Sequence, residues 1–257
     1  MSRSLRLRVV GSSPAMPRPG SACSSYLVQT EDAAVLLDLG SGALGKLQLA
    51  IDYARLDAIV ISHMHADHFL DLVPLRYGLK YGEPPRAERI PLWLPPGGCN
   101  RLQALRQVIG SDDNRDFFDG AFRVREYDPA EALEFGDLRL SFSQTRHYID
   151  AFAIRADFGG RGVTYSADTA PCDGVVRHAR DSAVFLCEST LGLAEEEGER
   201  GHTSAREAGE MASRARVGRL VLTHYPASCP PEALVAAAQQ QFAGLVDIAT
   251  DGLEIAL

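Results

Sequence analysis

The sequence lacks an apolar stretch long enough to cross a membrane. No uncharged span of about 18 residues occurs anywhere in the chain. Residues 1–10 alternate polar and apolar side chains, as an amphipathic first strand would, and they lack the continuous apolar core of a secretory signal. We therefore expect a soluble, cytoplasmic protein without a membrane partner.

Paired cysteines are also missing. The chain has five cysteines, an odd number, and none of them forms a C-x-x-C pair. This pattern suits reduced thiols in a cytosolic enzyme better than a disulfide framework.

Positive charge is scarce. The chain has 26 Lys and Arg against 34 Asp and Glu, a formal net charge of −8. Because binding to a phosphate backbone draws on clustered lysine and arginine, a nucleic acid partner is not expected. A small anionic substrate remains compatible, since bound metal ions would dominate the local field whatever the net charge.

No domain boundary or internal repeat is visible. Gly, Pro and Ser are concentrated in residues 11–25 and 95–100, but neither stretch separates segments with independent element patterns. A chain of 257 residues can bury a substantial core. We therefore predict one α/β domain over residues 1–257.

The chain does contain a dense cluster of potential metal ligands. His63, His65, Asp67 and His68 follow the apolar residues 58–61, in one short turn at the end of a predicted strand. Imidazole nitrogen and carboxylate oxygen are ligands that zinc, manganese and iron prefer. A chance cluster is the less favoured interpretation, because such residues would gain little from packing on a loop.

Three later residues extend this cluster. His147 follows residues 138–145, and Asp168 and His224 each end an apolar run. Taken alone, Asp168 reads equally well as a turn residue and His147 as a solvated histidine. Their strand-end placement favours ligands, because rigid backbone at strand ends lets distant segments converge on one rim.

The pattern His-x-His-x-Asp-His, with the three later residues, resembles the metallo-β-lactamase-fold hydrolases. The resemblance implies an αββα sandwich of two mixed β-sheets with helices on the outer faces. It also implies two divalent ions, for which zinc is the first expectation and manganese or iron the alternatives. Two such ions, about 3.5–4 Å apart, can share a hydroxide and clamp the oxygens of a phosphoryl group. The implied division of ligands is His63, His65 and His147 for one ion, Asp67, His68 and His224 for the other, and Asp168 as the bridge. Asp67 is also expected to accept or orient the proton of the bridging water.

Hydrophobic periodicity predicts the order of the elements. Two groups of strands, each followed by helices, fit two packed sheets. The predicted strands cover 5–10, 24–30, 33–38, 57–62, 124–127, 138–145, 151–158, 163–166, 183–188 and 219–223, with two short terminal strands, and the predicted helices cover 43–54, 68–81, 99–109, 173–180, 204–216 and 231–242.

A catalytic acid is predicted at a helix N-terminus. Ser204 and Glu207 form an S-x-x-E capping box, which places His202 just before the helix. The positive helix end would attract a phosphate, and His202 would donate a proton to the departing oxygen. Because the same helix end disfavours an imidazolium, a negative partner is needed, either the bound phosphate or Glu188. Two plainer interpretations stay open: His202 as a polar flank, and Glu188 as an ordinary edge charge.

Further segments resemble the ribonuclease Z-like branch of the family. These are residues 10–17, 24–28, 37–42, 168–169, 188–190 and 202–204. Ribonuclease Z carries a protruding arm between its isolated histidine and its bridging aspartate, whereas only twenty residues separate His147 from Asp168 here. The chain is therefore most similar to the compact bacterial cyclic-nucleotide phosphodiesterases.

That similarity implies a homodimeric phosphodiesterase that hydrolyses a small phosphodiester such as 3′,5′-cyclic AMP. The alternatives are a ribonuclease Z-type tRNA 3′-processing endonuclease, a thioesterase or lactonase-type hydrolase, and a non-catalytic metal-binding protein. Phe69, Tyr77, Tyr81 and Tyr148 are candidates to stack on a base, although aromatics at helix spacing are more often core residues.

Overall fold

The computed structural model describes residues 4–82, 88–110 and 116–257. Within them the chain forms two seven-stranded mixed sheets. The first sheet has the order β14-β1-β2-β3-β4-β5-β6, where β1 is Arg6–Gly11, β2 Ser25–Gln29, β3 Ala34–Leu37, β4 Ala58–Val60, β5 Ile90–Leu94, β6 Phe122–Glu126 and β14 Glu254–Ala256. The second has the order β13-β12-β11-β10-β9-β8-β7, where β7 is Leu133–Phe135, β8 Leu138–Gln144, β9 Phe152–Phe158, β10 Arg161–Tyr165, β11 Val184–Glu188, β12 Arg219–Thr223 and β13 Leu245–Ile248.

The two sheets follow the same plan of strand directions. In each, the first three pairings from one edge are antiparallel and the other three are parallel. The interior parallel strand β11 is covered on both faces and is buried along its whole length, whereas the antiparallel strand β8 alternates buried and more exposed residues.

Helices cover the outer faces. They are α1 Ala43–Ala50, α2 Ala66–Phe69, α3 Leu72–Tyr81, α4 Gly98–Ile109, α5 Asp173–His178, α6 Ala205–Ala215 and α7 Pro231–Gln239. One apolar core lies between the sheets, a second lies under α1 to α4, and a third lies under α5 to α7. Gly209 lets α6 approach α7, because a Cβ there would lie 2.2 Å from the Ala238 carbonyl oxygen. The predicted αββα sandwich is confirmed.

Several element predictions need correction. The predicted strands omit β5, an interior strand that contains Pro91, a residue type that is uncommon in such strands. They also omit β7, which has three residues and lies at a sheet edge. The predicted helix 43–54 ends at Ala50 and is followed by a separate 3-10 turn, Tyr53–Arg55, whose N-cap is Asp52. The predicted helix 68–81 is two helices, α2 and α3.

No helix in the described ranges is long and apolar enough to cross a membrane. The carboxyl ends of β4, β8, β10 and β12 lead into the segments that carry the predicted ligands, and β11 ends at Glu188. An isolated bridge between His63 and Ala151 joins the two sheets at this rim.

Candidate metal centre and acid–base pair

Each candidate ligand follows a strand end or opens a helix. The chain leaves β4 through Ser62 to His63 and His65, and α2 then carries Asp67 and His68 in its single turn. His224 directly follows β12 and has a left-handed backbone with φ 54°. Left-handed backbone is unfavourable for a residue with a side chain, and at such sites it indicates that the surrounding structure imposes the position.

All seven predicted ligands meet at this rim, in two groups that share Asp168. His63, His65 and His147 form the first group with Asp168, and the ligand atoms of this group all lie within 4.8 Å of one another. The second group, under the same limit, is Asp67, His68 and His224 with Asp168. This grouping coincides with the division that the family resemblance implies.

Asp168 presents one carboxylate oxygen to each group. Its Oδ2 lies 3.7 Å from His63 Nε2 and 3.9 Å from His147 Nε2. Its Oδ1 lies 3.5 Å from His68 Nε2 and 3.7 Å from His224 Nε2. A carboxylate placed in this way is suited to bridge two cations.

The buried polar atoms of the cluster fit a divalent metal. Among the described residues, His63 Nε2, His68 Nε2 and Asp168 Oδ1 are buried without a hydrogen-bond partner. Leaving such an atom unsatisfied costs about 1–3 kcal/mol. His65 Nδ1 and His147 Nε2 lie 3.0 Å apart, so the rings turn these nitrogens toward each other. A set of imidazole nitrogens and carboxylate oxygens converging on shared points is the donor set of zinc, manganese or iron sites.

The opposite ring nitrogens are anchored by the protein. His147 Nδ1 donates to the Gly201 carbonyl at 2.8 Å, and His68 Nδ1 donates to Asp38 Oδ2 at 2.8 Å. His63 Nδ1 lies 3.0 Å from Ser62 Oγ. A proton held on Nδ1 leaves the Nε2 lone pair free for a metal, and such outer contacts also fix the orientation of the ring.

Asp38 accepts several hydrogen bonds beside the candidate site, and the sequence analysis did not identify it as a site residue. The side chain is fully buried, and its Oδ1 accepts from the Ser62 backbone N–H at 2.7 Å. Its Oδ2 accepts from Ser62 Oγ, His68 Nδ1 and Tyr165 OH at 2.8 to 2.9 Å. The available signal was a carboxylate directly after the apolar strand β3, within residues 37–42, a segment used above only for its resemblance to the ribonuclease Z-like branch.

The first group favours neutral imidazoles. Burial lowers the pKa of His63 well below its ordinary value and also lowers the pKa values of His65 and His147. Neighbouring histidines add to this effect on His63 and His65. Neutral imidazole is the form that binds a metal, so these shifts favour ligation.

In the second group, contacts between the carboxylates and the histidines set the directions of the pKa shifts. Burial would raise the pKa of Asp67, but hydrogen bonds from His224 and His68 lower it. Burial would likewise raise the pKa of Asp168, and the charges of His224 and His68 hold it well below its ordinary value. For His68, burial acts to lower the pKa, but Asp168 and Asp38 raise it well above its ordinary value. Both aspartates are therefore ionised at neutral pH.

Glu188 is a buried anchor in the fold, and the interpretation as an edge charge is not supported. It is fully buried, and its Oε1 accepts from the Thr169 N–H at 2.8 Å and lies 2.9 Å from His202 Nδ1. Its Oε2 accepts from the Thr190 N–H at 2.9 Å and the Thr190 hydroxyl at 2.7 Å. Thr190 Oγ1 also lies 2.7 Å from His224 Nδ1. Since the hydroxyl proton goes to Glu188, Thr190 accepts from His224 Nδ1, and His224 Nε2 faces Asp67 Oδ2 at 3.1 Å.

His202 stands beside the ligands, just before α6. Its ring centroid lies 5.0 Å from that of His147 and 6.2 Å from that of His224. Burial acts to lower its pKa, but the hydrogen bond and charge of Glu188 raise it above the ordinary value. Glu188 is thus the negative partner that an imidazolium at the positive end of α6 needs. The capping box at Ser204 and Glu207 is formed as predicted.

Comparisons with known proteins agree with this geometry. Residues 34–225 match the family model of the beta-lactamase superfamily domain. The uncharacterized protein Rv1339 of Mycobacterium tuberculosis is 34% identical over 247 residues, 95% of this chain and 89% of that protein. Ribonuclease Z of Myxococcus xanthus is 27% identical over 306 residues, with 98% of each chain covered.

A solved structure is also similar. The metallo-beta-lactamase fold protein YhfI of Bacillus subtilis, described as a probable metallo-hydrolase, has a TM-score of 0.88 and 26% identity over 99% of this chain and 100% of that chain. The chain therefore belongs to the beta-lactamase superfamily and has the metallo-β-lactamase fold. Family membership and the histidine–aspartate cluster together indicate a metallo-hydrolase. The resemblance stated from sequence is confirmed, while the individual ligand roles stay predictions.

Proposed function

We propose that this member of the beta-lactamase superfamily is a phosphodiesterase that uses two divalent ions, zinc in the first instance, to hydrolyse a small phosphodiester such as 3′,5′-cyclic AMP. The observation that carries the proposal is the position of His202. This residue is a separate acid, held by Glu188 beside the two ligand groups and at the start of α6. A hydrolase that must release an alkoxide leaving group benefits from such an acid.

Each residue of the candidate site would have its own role in the reaction. When bound, the two ions would supply Lewis acidity toward the phosphoryl oxygens and lower the pKa of a water. Asp67, ionised because its pKa is low, would orient the attacking water. The positive end of the α6 dipole would attract the phosphate, while the Ser204 and Glu207 backbone N–H groups stay bonded within the capping box. His202, whose pKa is raised by Glu188, would give its proton to the leaving oxygen.

The surroundings of the site favour a small substrate over a transfer RNA. The interval between His147 and Asp168 is occupied by β9 and β10, which are joined directly at Gly159–Gly160. No arm emerges from this described segment. The loop that leads from β11 to His202 carries the exposed acidic residues of 195–199. Negative charge there would repel a polyanion while leaving a small diester room to bind.

The proposal is tested with the metal-loaded protein on a substrate panel. The panel contains 3′,5′-cyclic AMP and GMP, 2′,3′-cyclic nucleotides, bis-p-nitrophenyl phosphate, a thioester and a transfer RNA precursor. We expect the best kcat/KM on a cyclic nucleotide. Preferential cleavage of the precursor would support the ribonuclease Z alternative, which the relationship to the Myxococcus enzyme favours. Turnover of the thioester alone would contradict phosphodiesterase activity.

A variant separates acid catalysis from binding. His202→Ala should lower kcat on the cyclic nucleotide by about 10²–10⁴-fold at unchanged metal content. Bis-p-nitrophenyl phosphate should lose much less, because its leaving group has a low pKa and needs little protonation. Equal losses on both substrates would make His202 a phosphate-binding residue.

A further inference from the structure

The four aromatic residues considered above for base stacking differ in what they contact. Phe69 is buried in the core under α1 to α4. Tyr77 and Tyr81 stack on each other on α3, and Tyr77 also meets Phe117. Tyr148 lies instead at the metal-site rim, directly after His147. In the described part of the chain it is the exposed tyrosine whose ring meets site histidines.

Tyr148 lies beside both His147, a predicted ligand, and His202, the proposed acid. Its ring centroid lies 5.2 Å from that of His147 and 5.8 Å from that of His202. The side chain is nevertheless 65% exposed. Most of the Tyr148 side chain is thus accessible to solvent, although its ring lies beside the residue that would protonate the leaving oxygen.

Gly201 holds Tyr148 at this place. A Cβ on Gly201 would lie 2.8 Å from Tyr148 Cε2 and 2.9 Å from His147 Nδ1. The Gly201 carbonyl also accepts from His147 Nδ1 at 2.8 Å. One edge of the tyrosine ring therefore packs against Gly201, whose carbonyl also accepts from His147, a predicted ligand.

We propose that Tyr148 is the stacking face for the planar part of the leaving group, a nucleobase or an aryl ring. The inference rests on the proposed phosphodiesterase function and names the substrate class that the site selects. If His202 protonates the leaving oxygen, the group attached to that oxygen extends past His202, where the exposed Tyr148 side chain lies. Stacking of a base on an aromatic side chain tolerates any base, so Tyr148 selects a planar group rather than one nucleobase.

The test compares substrates with and without the planar group. In Tyr148→Ala, kcat/KM should fall about 5- to 150-fold on 3′,5′-cyclic AMP, the range typical of one base–aromatic stack. It should change less than about twofold on the ribose 3′,5′-cyclic phosphate that lacks the base. Tyr148→Phe keeps the ring and should restore the wild-type ratio. Tyr81→Ala, which removes a similarly exposed tyrosine from α3, is the matched control.

A binding measurement does not depend on turnover. In protein depleted of metal by a chelator, calorimetry should show that Tyr148→Ala weakens AMP but not ribose 5-phosphate. Equal effects on the base-containing and base-free compounds, or no effect on either, would overturn the stacking role. If the wild-type protein fails to cleave cyclic AMP, the proposed function fails. The stacking proposal is then decided by the AMP to ribose 5-phosphate binding ratio and by the effect of Tyr148→Ala on aryl against alkyl phosphodiesters.

Discussion

Substitution of Asp38 by asparagine should weaken metal binding through His68 while leaving all seven predicted ligands in place. The new side chain has the same shape, and asparagine tolerates the left-handed backbone found here, φ 58°. The Ser62 backbone N–H can only donate, so the amide oxygen must take the place of Oδ1. The amide NH₂ then occupies the place of Oδ2, opposite Ser62 Oγ, Tyr165 OH and His68 Nδ1.

Of these three contacts, only the one with His68 cannot be kept. The two hydroxyls can rotate and accept from the amide, but an imidazole N–H facing an NH₂ places donor against donor. Moving the proton of His68 to Nε2 restores a hydrogen bond, yet Nε2 is the atom that faces Asp67 and Asp168. Loss of an outer contact of this kind typically weakens metal binding about 10- to 100-fold. If the proton stays on Nδ1, loss of one hydrogen bond to a charged group costs about 1.5–3 kcal/mol of unfolding free energy.

The assay measures bound zinc per chain by elemental analysis after dialysis against a series of chelator-buffered zinc concentrations. Nitrogen-15 chemical shifts of His68 report its tautomer. Asp57→Asn is the control, because the hydrogen bond that the Asp57 side chain accepts within the described residues comes from the Ala34 backbone N–H, at the far end of β4. A folded Asp38→Asn protein that binds zinc as tightly as the wild type, with the Nδ1–H tautomer of His68 retained, would refute the reasoning.

Three further outcomes are expected. His63→Ala combined with His65→Ala should remove at least one metal ion per chain, and elemental analysis that still finds two ions would contradict the ligand division. Glu188→Gln should move the alkaline limb of the kcat/KM profile to lower pH: the charge of Glu188 raises the pKa of His202, and the protonated acid is lost as pH rises through that pKa. An unchanged limb would exclude the pair as the acid. The proposed homodimer should give about twice the 27.8 kDa chain mass in light scattering, and a monomer at micromolar concentration would argue against it.

Local spacing was sufficient to predict much of the candidate site. Residues 63–68 are close in the chain, so their order alone brings four candidate ligands together, three imidazoles and one carboxylate, without knowledge of the fold. The capping box at Ser204 and Glu207 is equally local. Strand periodicity worked for β8, whose alternation is regular, and failed for β5, where a proline interrupts the expected pattern.

Contacts between distant segments were beyond such reasoning. Asp38 and Tyr165 are 127 positions apart, and they meet because the two sheets pack face to face. Thr190 joins Glu188 to His224 because β11 and β12 are adjacent and in a particular register, with Glu188 opposite Thr223. The sequence contains these residues, but no sequence pattern indicates which of them are in contact.

The sequence by itself determined the donor chemistry of the candidate site, its local turn and the helix that follows His202, because each depends on residues a few positions apart. The tertiary structure decided which oxygen of Asp168 faces which group, which partner holds each ring nitrogen, and which tyrosine lies beside the acid. Those choices depend on strand order, register and sheet packing, which bring together side chains whose separation along the chain has no relation to their distance in space.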